Sequence, residues 1–350
     1  MNTKIITWNE EWGFEADELA EAAQIIRDGG LVAFPTETVY GLGGNGLDPQ
    51  ASQKIYAAKG RPSDNPLILH IAKIEQLHEV VSEIPEAAAT LAEAFWPGPL
   101  TMIFKKADCV PYETTGGLDT VAVRMPQHMG ALQFLEEAGV PVAAPSANTS
   151  GRPSPTLAKH VKEDLDGKID MIIDGGEVGI GLESTIIDLT VTPPQILRPG
   201  YITQEKLSEV LGTVDTDTTI LRADSGQAPK APGMKYRHYA PKGELTIVEG
   251  APEEVREYIN RAAATDHAAG EKTGIIGTEE MLSGYTADVV KSVGSRKDED
   301  SIARHLYTIL REFDDEGVTK IYSEGFSTEG FGQAIMNRLL KAAGHKVVTL

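Results

Sequence analysis

Apolar positions in the first part of the chain repeat with two spacings, one typical of helices and one typical of strands. Leu19, Ala22, Ala23 and Ile26 share one helical face, which predicts a helix over Ala16–Asp28 that ends at two glycines. Short apolar runs between turn-forming residues predict buried strands. The predicted strands are Leu31–Phe34, Pro66–Ile71, Leu100–Phe104, Thr120–Met125, Val142–Ala144, Met171–Asp174, Thr185–Leu189 and Gln195–Arg198.

Further helices alternate with these strands. Asp48 and Pro49 have the residue types of an N-cap and a first helical position, so a helix should begin there and run to Lys59. The glycine-rich stretch before it, Gly41–Leu47, is interpreted as a loop. The other predicted helices are Pro85–Phe95, Met129–Ala138, Pro155–Asp166 and Thr203–Leu211. The mixture predicts an α/β domain over residues 1–212, built on a mixed, twisted sheet.

The chain changes character over residues 213–243. Few large apolar residues occur there, and several turn-forming residues do, which is typical of a linker. The stretch Met234–Pro241 places two tyrosines, a histidine, an arginine and a lysine within eight residues. Two interpretations stay open, a solvated linker or a lid that lays an aromatic ring and cations over a ligand.

From Glu244 onward strands and helices alternate regularly. The predicted strands are Leu245–Val248, Thr273–Gly277, Lys320–Ser323 and Lys346–Leu350. The predicted helices are Glu253–Ala264, Ser301–Phe313 and Phe331–Ala343. This alternation predicts that residues 244–350 form a smaller Rossmann-like α/β domain.

Composition and charge narrow the possible partners. The formal net charge of the 350 residues is −20, which would repel a nucleic-acid backbone at long range. We therefore expect no direct binding of tRNA. The single cysteine, Cys109, excludes an internal disulfide, and no apolar run is long enough for a membrane-spanning helix. The acidic N-terminus lacks the apolar core of a secretory signal, so we expect a cytoplasmic protein.

Two phosphate-binding fingerprints can be checked directly. Gly41–Gly46 formally matches G-x-G-x-x-G, but six residues separate it from the preceding strand, and Asp48–Pro49 lie between it and the helix. A dinucleotide site needs these glycines at the strand-to-helix turn itself. The P-loop pattern G-x-x-x-x-G-K-[ST] does not occur. The sequence thus favours neither a dinucleotide site nor a P-loop.

Polar side chains instead gather where predicted strands end. Thr36, Glu37 and Thr38 follow the first strand, and the small polar run Pro145–Gly151 follows another. Lys59 and Arg61 stand close together where a helix ends, so they either complement its dipole or clamp a phosphate chain. Together with two further arginines and no metal-ligand cluster, these residues favour a small anionic ligand such as a nucleotide.

Arg124 has the most restrictive surroundings of these residues. It shares a strand face with Thr120 and lies within the apolar run Thr120–Met125. A buried arginine needs an anionic partner. That partner is either a carboxylate of the protein or a carboxylate of a ligand.

Five motifs occur in order along the chain and are specific as a set. They are PTETVYGL, K-G-R-P-x-x-N-P-L, TVAVR, P-S-A-N-x-S-G and E-S-T-I-I-D. Over residues 15–212 the chain resembles the threonylcarbamoyl-AMP synthase family, the YrdC/YwlC group. The linker motif PGMKYRHYAP and the second α/β domain resemble the longer, two-domain members. The resemblance implies a cytoplasmic nucleotidyltransferase that makes threonylcarbamoyl-AMP and pyrophosphate from ATP, L-threonine and bicarbonate.

The resemblance also implies roles for individual residues. Lys59 and Arg61 would be the catalytic residues. Threonine would be bound by Thr38, His70, Arg124, Ala144 and Ser184. ATP would be bound by Arg61, Asn65, Thr120, Ser146, Asn148, Ser154, Arg198 and, from the linker, Tyr236.

The remaining expectations concern cofactors and partners. Magnesium is expected on the ATP phosphates, with no metal site built from protein side chains. The product would pass to the tRNA threonylcarbamoyl transferase machinery. A carbamoyl transferase that uses carbamoyl phosphate and an RNA-binding module are the alternative functions.

Overall fold

The structure is a computed structural model that describes residues 2–15, 17–217, 220, 231 and 238–350. The described residues divide into two compact units. The first contains residues 2–150, 154–179, 183–217, 220 and 231, and the second contains 151–153, 180–182 and 238–350. The predicted bounds at 212 and 244 stay a prediction.

The first unit is built on a mixed sheet, which confirms the predicted fold class. Its strands are β1 (Lys4–Thr7), β2 (Val32–Phe34), β3 (Gly41–Asn45), β4 (Ile68–His70), β5 (Leu100–Lys105), β6 (Thr120–Arg124), β7 (Val142–Ala144), β8 (Met171–Asp174), β9 (Thr185–Asp188), β10 (Gln195–Arg198) and β11 (Asp215–Thr216). In the described part of the unit they are ordered β1-β8-β2-β3-β7-β4-β6-β5-β9-β10-β11. Parallel and antiparallel neighbours alternate irregularly along this order.

Helices of the first unit are short and lie between these strands. They are α1 (Glu18–Arg27), α2 (Pro49–Lys59), α3 (Leu77–Val80), α4 (Glu86–Phe95), α5 (Tyr112–Thr115), α6 (Met129–Ala138), α7 (Ala158–Leu165) and α8 (Gln204–Leu211), with a 3₁₀ turn at Ile74–Gln76. The sequence missed β1, β11, α3 and α5. Each of these is four residues or fewer, too short to show a period.

Helix α2 shows how the local sequence determines an element's ends. Asp48 accepts a hydrogen bond from the Gln50 N–H, and Pro49 occupies the first helical position. Gly60 ends the helix with φ of 62°, a left-handed conformation that favours glycine. These ends agree with the prediction, and they place Lys59 and Arg61 on either side of the turn.

The prediction of a loop over Gly41–Leu47 is wrong. Gly41–Asn45 is strand β3, which pairs antiparallel with β2 and β7. A Cβ atom on Gly43 would lie 2.8 Å from the Val142 side chain and 3.1 Å from the Val32 carbonyl oxygen. Glycines are needed here because the neighbouring strands approach closely, and not because the backbone turns.

Two cores lie on opposite faces of this sheet. Residues of α2, α4, α7 and α8 pack against one face. On the other face, α1 and α6 cover the half formed by β1, β8, β2, β3 and β7. The other half of that face carries a small apolar cluster, Ile68, Ile103, Ala122, Ile186 and Leu197, which is joined by Ala231. This second half is where strand-end polar residues can meet a ligand.

The second unit is a parallel sheet with helices on both faces, as predicted. Its elements are β12 (Glu244–Glu249), α9 (Pro252–Ala268), β13 (Thr273–Thr278), a 3₁₀ turn (Leu282–Gly284), β14 (Val289–Gly294), α10 (Glu299–Asp315), β15 (Lys320–Glu324), α11 (Gly332–Ala342) and β16 (Val347–Thr349). The strand order is β14-β13-β15-β12-β16, and every pair is parallel. The sequence missed β14, whose first four residues are only partly buried.

Candidate active site

The polar residues expected from the sequence include a row across β4, β6 and β5. His70 pairs with Arg124 in the parallel ladder between β4 and β6. Arg124 faces Thr101 in the antiparallel ladder between β6 and β5. Paired residues point to the same face of a sheet, so these three side chains stand side by side. Thr120 shares this face four residues earlier on β6.

Arg124 is buried and hydrogen-bonded through each of its nitrogen atoms. Its Nη2 donates to Glu37 Oε1 at 2.6 Å, and its Nη1 donates to Thr38 Oγ1 at 2.9 Å. Its Nε donates to the Gly98 carbonyl oxygen at 3.2 Å. Glu37 is therefore the protein carboxylate that pairs with the buried Arg124. A guanidinium has five N–H groups, and these bonds leave two for a further acceptor.

Glu37 is itself held in place. Its second carboxylate oxygen accepts a hydrogen bond from the Gln127 N–H at 3.0 Å. The side chains of Arg124 and Glu37 are only 5% and 11% exposed. A pair this buried is oriented firmly, because either partner alone would be an uncompensated charge.

His70 is a neutral imidazole in this setting. Burial, and then the nearby charge of Arg124, lower its pKa to about 3. Its Nδ1 lies 3.1 Å from the Ile68 carbonyl oxygen, and its ring meets Phe34 edge-on with 5.7 Å between centroids. At neutral pH the ring therefore adds no charge to the site.

Ser184 connects Arg124's neighbour to a second arginine. Its hydroxyl lies 2.7 Å from Thr101 Oγ1 and accepts a hydrogen bond from Arg198 Nη2 at 3.1 Å. Arg198 Nε also donates to the Ser184 carbonyl oxygen at 3.0 Å. Ser184 thus joins Thr101 of β5, which stands beside Arg124, to Arg198 at the end of β10.

Lys59 supports the loop that follows β7. Its ammonium group donates to the carbonyl oxygens of Ser146 and Asn148, and to Asn148 Oδ1 at 3.3 Å. Ser146 Oγ donates to the same amide oxygen of Asn148. Lys59 is only 1% exposed. An ammonium has three N–H groups, and three acceptors of this loop engage them.

Arg61 and Asn65 form a second small group beside α2. Arg61 Nη2 donates to the Pro66 carbonyl oxygen at 3.1 Å, and the guanidinium stays partly exposed. Asn65 is 1% exposed, and its Oδ1 has no hydrogen-bond partner among the residues that the structure describes. A buried amide oxygen without a partner is costly, so a ligand donor at this position would be favourable.

The remaining expected residues are placed as follows. Ser154 is fully buried and donates to Glu183 Oε1 at 2.5 Å. Ala144 is buried at the end of β7, directly before the loop that Lys59 supports. Tyr236 lies outside the described residues. Ala231, from the same linker, is fully buried against the apolar cluster on the site's half of the sheet.

The sequence analysis missed Thr101 and Glu183, and it named Glu37 as a strand-end polar residue without giving it a role. Glu37 orients Arg124, Thr101 meets Ser184, and Glu183 accepts from Ser154. A signal for its role existed, since Glu37 stands beside Thr38 and Arg124 needed an anionic partner. Thr101 carried no comparable signal, because a threonine within an apolar strand run is ordinary.

The part of the chain that the structure describes has neither a metal-ligand cluster nor a membrane-spanning helix. It contains no group of three or more histidine, cysteine, aspartate or glutamate side chains arranged to hold a metal ion. Its helices include none that is both long and apolar enough to span a bilayer.

The fold and the polar row together are those of an α/β enzyme. Residues 24–200 match the family described as "Telomere recombination", and residues 202–344 match the family "Threonylcarbamoyl-AMP synthase, C-terminal domain". The threonylcarbamoyl-AMP synthase of Pyrococcus abyssi (strain GE5 / Orsay) is 51% identical over 339 residues, which cover 97% of this chain and 96% of that protein. That of Bacillus subtilis (strain 168) is 48% identical over 351 residues, which cover 99% and 100%.

A solved structure supports the same family assignment. The crystal structure of P. abyssi Sua5 complexed with L-threonine resembles this chain with a TM-score of 0.94 and 50% identity. The match covers 99% of this chain and all of that one. This chain belongs to the two-domain threonylcarbamoyl-AMP synthase family.

Proposed function

We propose that the polar face of the first unit is where this chain makes threonylcarbamoyl-AMP and pyrophosphate from ATP, L-threonine and bicarbonate. Family membership supports the overall reaction. The observation that carries the assignment to this face is buried Arg124, which Glu37 and Thr38 orient and which keeps two N–H groups for a ligand. A carboxylate is the natural acceptor for them.

Threonine binds around this arginine. Its carboxylate accepts from Arg124, and Thr38, His70, Ala144 and Ser184 form the rest of its pocket. Because the pKa of His70 is lowered to about 3, this ring stays neutral and does not compete with Arg124 for the carboxylate. Glu37 acts through Arg124 as a positioning residue.

ATP binds along the neighbouring loops. Its contacts come from Arg61, Asn65, Thr120, Ser146, Asn148, Ser154 and Arg198. The partnerless amide oxygen of Asn65 supports a donor from the nucleotide at that point. Lys59 carries its charge beneath the loop of Ser146 and Asn148, so it positions that loop and makes the local potential positive for phosphate.

The chemistry needs no covalent bond to the protein. The threonine amine attacks carbon dioxide, which forms from bicarbonate, and loses a proton to give a carbamate. A carbamate oxygen then attacks the α-phosphorus of ATP, the bond to the β-phosphate breaks, and pyrophosphate leaves. The protein contributes orientation of the two substrates and positive charge for the developing phosphate charge.

Magnesium belongs to this proposal as a partner of the ATP phosphates. Glu37 and Glu183, two carboxylates at this face, are engaged by Arg124 and Ser154. These engaged carboxylates do not form a ready cage for a cation.

The linker is proposed as a lid. A carbamate is labile in water, so covering it while the adenylate forms would protect it. Linker residue Ala231 belongs to the buried cluster of Ile68, Ile103 and Ala122 on this face, which supports a lid at this position. A Tyr236→Ala variant should raise the KM for ATP and lower the adenylate yield. Unchanged values for both would refute the lid.

The product is proposed to pass to the tRNA threonylcarbamoyl transferase machinery in the cytoplasm, without direct binding of tRNA by this chain. The net charge of −20 supports the second point, and the single cysteine supports the location. Filter binding with tRNA at low salt tests it, and tight binding there would count against the proposal.

The reaction itself is tested with labelled ATP, bicarbonate, magnesium and L-threonine, followed by rapid chromatography of the nucleotides. A new adenylate should form with an equal amount of pyrophosphate, and only when threonine and bicarbonate are both present. Adenylate that forms without bicarbonate, or no adenylate although ATP binds, would refute the synthase activity. Carbamoyl phosphate in place of bicarbonate and threonine tests the alternative transferase.

A further inference from the structure

The second unit contains a point where the sheet's connections change direction. After β12 the chain crosses to β13 through α9, which packs against β12, β13 and β15. After β15 the chain crosses the other way, to β16, through α11, which packs with α10 and β12. Right-handed crossovers in opposite directions place α9 and α11 on opposite faces of the sheet. Ligands of open α/β sheets bind in the crevice that forms at such a point, beyond the carboxyl ends of the strands.

A cavity of about 410 Å³ lies at this point. The end of β12 and the start of α9 form one wall, and the end of β15 with the residues after it forms the other. Val255 and Phe326 give it apolar surface, while Glu249, Arg296 and Glu324 give it charge. Its volume and mixed lining are typical of a site for a small molecule.

Two of the charged residues in the cavity, Glu324 and Arg296, neutralise each other as an ion pair. Glu324 is 2% exposed, and its carboxylate accepts from the Thr278 N–H at 2.9 Å and pairs with Arg296. Arg296 also donates to the Gly325 carbonyl oxygen at 3.2 Å. This pair contributes no net charge to a ligand.

Glu249 is different from Glu324. Its side chain lies over Gly325, where an added Cβ atom would come within 2.8 Å of Glu249 Cγ. Among the residues that the structure describes, the Glu249 carboxylate has no hydrogen-bond or ion-pair partner. A carboxylate that faces a cavity in this way calls for an ammonium group or another strong donor.

The cavity also presents hydrogen-bond donors to an anionic group of a ligand. Helix α9 starts at Pro252 beside the cavity, and Ala251 before it supplies no side-chain cap. Pro252 has no N–H group and the Val255 N–H donates to the Ala251 carbonyl oxygen, so the N–H groups of Glu253 and Glu254 are the ones without an acceptor within the helix. Glu253 and Glu254 stand in the same turn, so a singly charged carboxylate suits this position better than a chain of phosphates.

We propose that this cavity binds an α-amino acid as its zwitterion. The ammonium group pairs with Glu249, the carboxylate accepts from the first turn of α9, and the side chain packs on Val255 and Phe326. This site belongs to the second unit alone, so it is independent of the threonine pocket assigned to Arg124.

Equilibrium dialysis of the full chain against each of the standard L-amino acids tests the proposal. At least one amino acid other than threonine should bind at one site per chain. Glu249→Gln should weaken that binding about tenfold or more, since it removes a charge-assisted hydrogen bond. Glu257→Gln removes an equal charge from an exposed position on the same helix and should leave the binding unchanged.

Several outcomes would overturn the proposal. They are saturable binding by no amino acid other than threonine at millimolar concentration, binding that survives Glu249→Gln, and equal weakening by both variants. Equal binding of the corresponding amine, which lacks the carboxylate, would exclude the zwitterion. Thermal unfolding of both variants shows whether either change has disturbed the fold.

Discussion

Replacing Arg124 with methionine separates the two roles assigned to this residue. The change leaves the Glu37 carboxylate 11% exposed and without its cation. Breaking a buried ion pair in this way costs about 3–5 kcal/mol of unfolding free energy. Denaturant unfolding measures this loss. The exposed Arg27 on α1 serves as the control, because its replacement by methionine should cost well under 1 kcal/mol.

The same variant should lose affinity for threonine. A hydrogen bond to a charged group contributes about 1.5–3 kcal/mol, so the loss of one such bond corresponds to a factor of about 10–150 in affinity. Adenylate synthesis at varied threonine concentration measures the effect as a raised KM for threonine. The KM for ATP should change much less.

A double variant, Arg124→Met with Glu37→Gln, distinguishes stability from binding. Removing both charges should recover most of the lost stability, because a neutral pair leaves no uncompensated charge. It should not recover the affinity for threonine. Recovery of both would refute the proposed contact with the threonine carboxylate, and recovery of neither would refute the buried coupling between the two residues.

Three further changes probe other parts of the first unit. Lys59→Met should lower stability by about 1–3 kcal/mol for each buried acceptor it leaves unpaired, and should raise the KM for ATP but not for threonine. Because the pKa of His70 is lowered to about 3 in the fold, only the unfolded chain gains its proton below about pH 6.5. Stability should therefore fall by about 1.4 kcal/mol per pH unit from pH 6.5 toward pH 3, and His70→Asn should remove this contribution. Gly43→Ala should cost about 1–3 kcal/mol, because the new methyl group would overlap Val142.

Each of these three variants has a matched control or a reference curve. Lys162→Met removes an exposed lysine from α7 and should change neither stability nor KM. A wild-type curve of stability against pH that runs parallel to the His70→Asn curve would contradict the neutral imidazole. Gly179→Ala adds a methyl group whose nearest neighbour is 3.9 Å away, so equal costs at the two glycines would show that close packing is not the reason for Gly43.

Local chemistry made much of the fold predictable. Asp48, Pro49 and Gly60 carry the N-cap, first-position and C-cap signals of α2, and those ends agree with the structure. Strand β3 could not be predicted, since a glycine run is typical of loops and only contacts with β2 and β7 make it a strand. Strand β1 was missed because it is only four residues long and its partner β8 is far away in the sequence.

The sequence predicted the residue types of the site better than the hydrogen bonds and ion pairs between them. Arg124 stood out, because an arginine in an apolar strand requires an anion. That Glu37 supplies the anion depends on the chain folding back after β2, which no local pattern records. Lys59 could be placed beside phosphate by resemblance, but its engagement by the loop of Ser146 and Asn148 is visible only in three dimensions. The individual ligand contacts stay predictions.

The pairing of β1 with β8 has a consequence for how the protein is made. Thr3 donates to the Ile169 carbonyl oxygen across 166 residues, and β1 has β8 as its one strand neighbour in the described sheet. On a ribosome that adds about 5–20 residues per second, the first strand waits roughly ten to thirty seconds for its partner. The N-terminal segment must therefore stay soluble without a strand neighbour during that time. Three of the four residues of β1, Lys4, Ile5 and Thr7, are exposed in the folded sheet, so the segment has little surface to bury while it waits.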